Sequence, residues 1–161
     1  MEKLQLFDRN KNMLAGEFML RGGERPDGKY YLVTMVFIEG GDGRFLIQKA
    51  APIKDGKWAT HGGHCAFGDD SAQCISKEIS EELGLLVRPS QFQLRKSVFD
   101  DDNFIDLYYL NADVDACALT LQASEVAEVK WFSKDEIAAM IKSGEFRQSH
   151  ASRWQMLFGD V

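Results

Sequence analysis

The sequence is short of cysteine, proline and positive charge. Its 161 residues include three cysteines, Cys65, Cys74 and Cys117, odd in number and widely spaced. They imply no disulfide framework and no Cys-x-x-Cys metal site, so a reduced, cytoplasmic setting is expected. Three prolines leave most of the chain's punctuation to 14 glycines. Lys and Arg number 19 against 25 Asp and Glu, a net charge of -6. Binding a nucleic acid polymer normally requires a basic footprint, and none is present. A small anionic substrate stays open, because a divalent cation can supply positive charge locally. No apolar run approaches the roughly 18 residues that span a bilayer, so no membrane partner is expected. The first eight residues, Met1 to Asp8, lack the basic-then-apolar pattern of a secretory signal. Internal repeats, low-complexity tracts and linkers are absent too.

What is present is a globular composition, 45% hydrophobic and 27% charged. That excludes a disordered chain. At this length folding buries roughly 70% of the unfolded surface, enough for a core without metal or disulfide staples. One domain over residues 1–161 is expected.

The pattern predicts a short hairpin from 4–7 and 16–20, turning around Asp8 to Asn12, then a loop over 21–28. Tyr30 to Glu39 is β-rich and apolar on both sides, as in a central strand. Gly40-Gly41-Asp42-Gly43 is a turn signal, and Phe45 to Gln48 continues as the partner strand. Lys54 to Gly68 reads as irregular. Ser71 to Leu83 reads as a helix, with Ala72, Ile75, Ile79 and Leu83 at helical spacing, Asp70 or Ser71 as cap and Gly84 as stop. Further strands are expected at 92–99, 104–110 and 126–132. Ser133 to Glu136 is a capping-box pattern opening a helix to Ser143, and a last short helix begins near Ser149. Strands and helices alternating in this way suggest a mixed sheet with helices packed on it.

The informative feature is an acidic cluster in the first helix. Glu78, Glu81 and Glu82 stand at i, i+3 and i+4 and so share a face. Like charges at these spacings repel, and Lys77 and Lys54 are the basic residues placed to relieve them. Three glutamates alone read as a solvated face. A hard cation would relieve the repulsion better, since Mg²⁺ takes oxygen ligands and is shared between carboxylates and phosphates. Gly62-Gly63 precede the helix by a loop, where backbone groups are free to reach a ligand, and Asp69 adds a carboxylate that also suits a helix cap.

The span from Gly63 to Leu85 resembles the Nudix box, G-x5-E-x7-R-E-U-x-E-E-x-G-U with U aliphatic. Here it reads Gly63, five residues, Asp69, seven residues, then Lys77-Glu78-Ile79-Ser80-Glu81-Glu82-Leu83-Gly84-Leu85. All spacings match, and seven of nine specified positions match in identity. Asp69 for Glu and Lys77 for Arg depart from the pattern but keep charge. Leu6-Phe7-Asp8, Arg21-Gly22, Tyr31-Leu32-Val33, Leu46-Ile47-Gln48-Lys49 and Glu128 to Phe132 are similar to the Nudix subgroup related to isopentenyl-diphosphate isomerase.

The resemblance implies an α/β fold, an α/β/α sandwich with a mixed β-sheet. It implies a Mg²⁺- or Mn²⁺-dependent hydrolase that cleaves the diphosphate of a nucleoside diphosphate linked to X, or of a related organic diphosphate. Glu78, Glu81, Glu82 and the Gly62 carbonyl would hold the metal. Glu78, or a later glutamate such as Glu125, would be the general base. Lys77 stands where the family's arginine orients the glutamates, as a point charge rather than a fork. Gly63, His64 and Asp69 would lie at the substrate. The partner is then a small diphosphate, and homodimers are common in the family. X is left open among nucleotide sugars, ADP-ribose, dinucleoside polyphosphates, oxidised nucleotides, coenzyme A and prenyl diphosphates.

Two alternatives stand beside this reading. An isomerase of the isopentenyl-diphosphate type needs a cysteine just before the Gly-His pair, where this chain has Gly62, with Cys65 after the pair. A non-catalytic ligand-binding domain need not keep the glutamates, and all three are kept. His61, His64 and Cys65 match no familiar zinc spacing. Trp58, Trp131 and Phe132 read as core, while Phe99, Phe104 and Tyr108 are open between packing and lining a substrate pocket.

Overall fold

The computed structural model describes residues 1–159. Strands β1 (Lys3–Phe7) and β2 (Met13–Leu20) form the expected hairpin. Its turn is held by the Asp8 carboxylate, which accepts from the backbone N–H groups of Asn10 and Asn12, both at 2.9 Å. The hairpin docks on the rest of the chain through Gln5, buried, whose Oε1 accepts from the Gly68 N–H at 2.9 Å.

The main sheet is built on β3 (Tyr31–Glu39), which pairs in parallel with β8 (Asn103–Asn111) along its whole length. On the other edge β3 has two partners in turn. Its end, Ile38–Glu39, pairs with β4 (Phe45–Ala50), and its earlier part, Val33–Val36, pairs with β6 (His61–His64). The sheet therefore forks, with β4 and β6 as the two prongs. Beyond β4 lie β5 (Trp58–Ala59) and β9 (Val126–Phe132), both antiparallel to it; β7 (Gln93–Asp100) closes the far edge against β8. The stretch from Lys54 to Gly68, expected to be irregular, thus contains two short strands. Its glycines hid them: Gly62 and Gly63 pair with Met35 and Thr34, yet carry no side-chain pattern.

Alternation along β3 explains why it is apolar on both sides. Met35 and Phe37 face one way, against helices α2 (Lys134–Ser143) and α3 (Gln148–Phe158), in a core with Phe45, Ile47 and Trp154. Val36 and Ile38 face the other way, against α1 (Ser71–Leu83), with Ile75, Ile79 and Leu83 fully buried. The result is the expected α/β/α sandwich. Each of those three side chains contributes roughly 1.5–3 kcal/mol by leaving water. Asp70 caps α1 by accepting from the Gln73 N–H, and Gly84 ends it in a left-handed conformation at φ 66°. Among the described residues no helix is long and apolar enough to cross a membrane.

The aromatic residues largely pack. Trp58, Phe104 and Tyr108 are buried, and Trp131 donates its indole N–H to the Val114 carbonyl. Phe99 stays exposed, its ring against Tyr30 and under the Arg9 guanidinium. None of Phe99, Phe104 and Tyr108 lines the cleft described next.

Candidate active site

The fork between β4 and β6 opens a cleft, and α1 lies across its mouth. With the apolar stripe of α1 fixed against the sheet, the opposite registers carry Glu78 and Glu82 inward along β6. Gly63 makes room for Glu78, and Gly62 for the backbone of β3. A Cβ on Gly63 would fall on the Glu78 carboxylate, and one on Gly62 would fall on the Thr34 carbonyl oxygen. Gly63 thus lets a carboxylate lie directly on strand backbone, and Gly62 lets β6 lie close against β3.

Gly62, Gly63, His64, Glu78, Glu81, Glu82 and Glu125 all line one cavity of about 180 Å³. A neighbouring cavity of about 240 Å³ shares Gly62, Gly63, His64, Glu82 and Glu125 and extends to Gln48, Lys54 and His150. The acidic face is not the solvated one its spacing suggests. Glu82 is only 7% exposed and Glu78 is half-buried, whereas Glu81 is exposed. Burial, then the charge of Glu81, pushes Glu78 up to about 7. Burial, then the charges of Glu78 and Glu125, pushes Glu82 up to about 8. Glu82 Oε2 is buried without a hydrogen-bond partner. A buried polar atom left unpaired costs roughly 1–3 kcal/mol, so it calls for a ligand.

The ionisable side chains at the acidic end are chiefly carboxylates, hard oxygen donors, which suit Mg²⁺ or Mn²⁺ and not a soft metal. They line a cleft and do not form a closed cage: among the described residues no three His, Cys, Asp or Glu side chains converge on one point. The zinc set is not assembled either. His61 is buried and bonded to Gln48 and Leu46, and the Cys65 thiol faces the Asp69 carbonyl at 3.2 Å.

Asp69 and Lys77 stand apart from this cleft. Lys77 Nζ donates to both Asp69 oxygens, at 2.6 and 2.8 Å, and Asp69 is buried. Asp69, expected at the substrate, holds Lys77 instead, and Lys77 touches no glutamate oxygen. The two departures from the family pattern are therefore partners. The shorter carboxylate and the point-charge cation meet each other. Lys54 reaches the cleft as expected, paired with Glu125 at 3.3 Å.

The sequence model of the NUDIX domain matches residues 29–155. The chain belongs to the Nudix family. An uncharacterized Nudix hydrolase of Listeria monocytogenes is 33% identical over 151 residues, covering 91% of this chain and 88% of its own length. The NAD-capped RNA hydrolase NudC of Mycobacterium tuberculosis is 22% identical over 120 residues, 74% of this chain and 38% of that protein. A crystal structure of a Deinococcus radiodurans protein superposes with a TM-score of 0.66 at 20% identity, covering 90% of this chain and 91% of that one, a likeness of fold. The chain is thus a Nudix hydrolase, of a family that generally uses divalent cations.

Around the Nudix box the fold adds residues whose distance in sequence hid them. Arg21, from the loop after β2, lines both cavities and pairs with Glu2 at 3.0 Å. Gln122 lines the acidic end. Arg147 and His150, at the start of α3, line the larger end, and Arg147 is held by Asp55 at 2.7 and 3.0 Å. Burial, then the Arg147 charge, lowers His150 to about 3, so its ring is neutral. Arg21 figures in the subgroup resemblance without a role attached, and nothing in the local sequence marks Gln122, Arg147 or His150; the fork brings them together.

Proposed function

We propose that this cleft hydrolyses the diphosphate linkage of a nucleoside diphosphate joined to a second group, or of a related organic diphosphate, with Mg²⁺ or Mn²⁺ as cofactor. The observation that carries this is Glu82: a buried carboxyl, with one oxygen unpartnered, beside Glu78 and Glu125. Glu78, Glu81, Glu82 and the Gly62 carbonyl would hold the cation. A divalent cation bound there neutralises the diphosphate and makes its bound water more acidic. The chain's own groups do the rest. Glu78 or Glu125, both at the cavity wall, takes the proton of the attacking water. Arg21, Lys54 and the Gly63 amide orient the phosphates. His64, half-buried and stacked on Tyr31 with ring centroids 5.6 Å apart, bounds the substrate at the cleft's edge. The Asp69–Lys77 pair holds the loop before α1 against the helix and so fixes the glutamates' approach.

Hydrolysis is favoured over isomerisation by Cys65. Its thiol is fully buried, directed at the Asp69 carbonyl, and contact with Cys74 and burial push its pKa up. It has no path to deliver a proton in the cleft.

The test is product release from a panel of diphosphates, including isopentenyl diphosphate, with Mg²⁺, with Mn²⁺ and with chelator. Metal-dependent cleavage of a diphosphate linkage is expected. Cation binding with no cleavage of any compound would point to a binding module. Conversion of isopentenyl diphosphate without hydrolysis would restore the isomerase.

A further inference from the structure

Behind Glu82 runs a row of buried polar groups that the mechanism leaves unused. His61 is fully buried. Its Nε2 lies 2.8 Å from the Leu46 carbonyl oxygen and its Nδ1 lies 2.6 Å from Gln48 Oε1. Gln48, 8% exposed, lines the cleft with Glu82 and is within hydrogen-bonding reach of its carboxyl. A carbonyl oxygen only accepts, so Nε2 carries a proton. An amide oxygen also only accepts, so a ring that satisfied both would be an imidazolium. Both of its partners are uncharged. A cation sealed in that place, with no carboxylate touching it, costs several kcal/mol. The ring is neutral at pH 7, and Nδ1 is bare.

A bare Nδ1 needs a donor, and the only one Gln48 has is its NH₂ group. The amide's oxygen and nitrogen share one planar outline. A half-turn about the last side-chain bond exchanges them without displacing a neighbour. That half-turn puts the NH₂ on Nδ1 and turns the carbonyl toward Glu82.

We propose that His61 and Gln48 are a positioning pair: the neutral ring turns the Gln48 amide so that its carbonyl oxygen faces Glu82 and joins the oxygen donors of the cleft. This rests on the cation site proposed above. Each link then joins one donor to one acceptor. The Gln48 NH₂ donates to His61 Nδ1, and His61 Nε2–H to the Leu46 carbonyl. When Glu82 is ionised toward a cation, the Gln48 carbonyl presents a further hard oxygen on the same side. The opposite rotamer would aim an N–H donor at a site meant for positive charge. Outer partners of this kind commonly set metal affinity by 10–100-fold.

Two measurements on the full chain test this. Nitrogen-15 NMR of the histidine rings reads the His61 tautomer directly. At pH 7 the proton is expected on Nε2 with Nδ1 bare, and an imidazolium or an Nδ1–H signal overturns the proposal. Titration of the substrate-free protein with Mn²⁺, followed by electron paramagnetic resonance, compares wild type with Gln48→Leu and Gln48→Glu. The leucine variant is expected to bind Mn²⁺ at least about tenfold more weakly, and the glutamate variant, which keeps an oxygen on the cleft side, to bind more tightly than the leucine variant. Wild-type affinity in a Gln48→Leu protein that still melts cooperatively overturns the pair's role. If that variant does not fold, the wild-type tautomer decides alone. Failure of the wild type itself to bind Mn²⁺ would overturn the cation site, and this role with it.

Discussion

Replacing Glu82 by Gln should make the metal-free protein more stable while removing its activity. The fold raises the Glu82 pKa from 4.5 to about 8, by burial first and then by the charges of Glu78 and Glu125. A group raised in this way stabilises the fold fully below its unfolded value. That contribution is lost as pH rises through the folded value. Between pH 4.5 and pH 7 the loss amounts to at most about 3 kcal/mol, at 1.36 kcal/mol per unit. Part of it belongs to the repulsion shared with Glu78, so about 2 kcal/mol is a fair share for Glu82. Gln matches the protonated side chain in shape and cannot ionise. For a domain of this size 2 kcal/mol is a rise in Tm of roughly 4–8 °C. The assay is a pair of thermal melts in chelator across pH 5 to 9. The gap between variant and wild type should be near zero at pH 5 and widen to a plateau above pH 8. Added Mg²⁺ or Mn²⁺ should raise the wild-type Tm and barely move the variant, and turnover should fall by about a hundredfold or more. A variant no more stable than wild type at pH 8 in chelator would refute the reasoning, as would near-normal turnover.

Gly63→Ala places a methyl group on the Glu78 carboxylate. Because the end of that side chain can move, stability should drop by less than about 1 kcal/mol. Mn²⁺ affinity and kcat should drop about tenfold or more, read by melts and by titration. Lys77→Ala leaves the Asp69 carboxylate buried without its cation. With Lys77 itself largely in solvent, a cost of about 1 kcal/mol is expected by urea unfolding, and Lys77→Arg should restore it. Asp106 is fully buried and accepts from Lys11 Nζ at 2.6 Å and Ser97 Oγ at 2.7 Å, and from Ser71 at the start of α1. Asp106→Ala removes the shared acceptor, leaving Lys11 with Ser97 and Ser71 with Tyr108, and should cost about 3 kcal/mol by the same measurement. A smaller loss than 1 kcal/mol would show that the hairpin turn docks without this network.

Helix α1 was legible because three local signals agree on it: apolar residues every three or four positions, Asp70 before it and Gly84 after it. The box spacing singles out Glu78, Glu81, Glu82 and the two glycines, and these line one cavity in the structure. Burial of Glu82 was not legible. Glu82 is 7% exposed because the strands beside α1 cover it, and Glu78 can lie against β6 because Gly63 carries no Cβ; both are properties of the neighbouring strands. The same holds for Asp69, whose partner eight positions later is chosen by the turn at Gly68–Asp70. Arg21, Gln122 and the Arg147–His150 pair come from three separate segments, and no periodicity links segments that meet only across a forked sheet. Glu125 was anticipated only through the family resemblance, which allows a base from a later loop, and the structure puts it at the cleft wall.

The fork has a consequence for how this scaffold can diversify. Both prongs are anchored by ladders whose far ends lie in the two cores, so the connection between them, residues 51–57, carries little of the fold. Most of it is open to solvent, with Ile53 at 85% exposure. Yet it supplies Lys54 to the cleft wall and Asp55 to Arg147. Lengthening or rewriting that segment would alter what the larger cavity admits while leaving the carboxylates, the glycines and the pairing of β3 with β8 in place. Inheritance of the reaction and innovation in its substrate are thereby assigned to different stretches of chain.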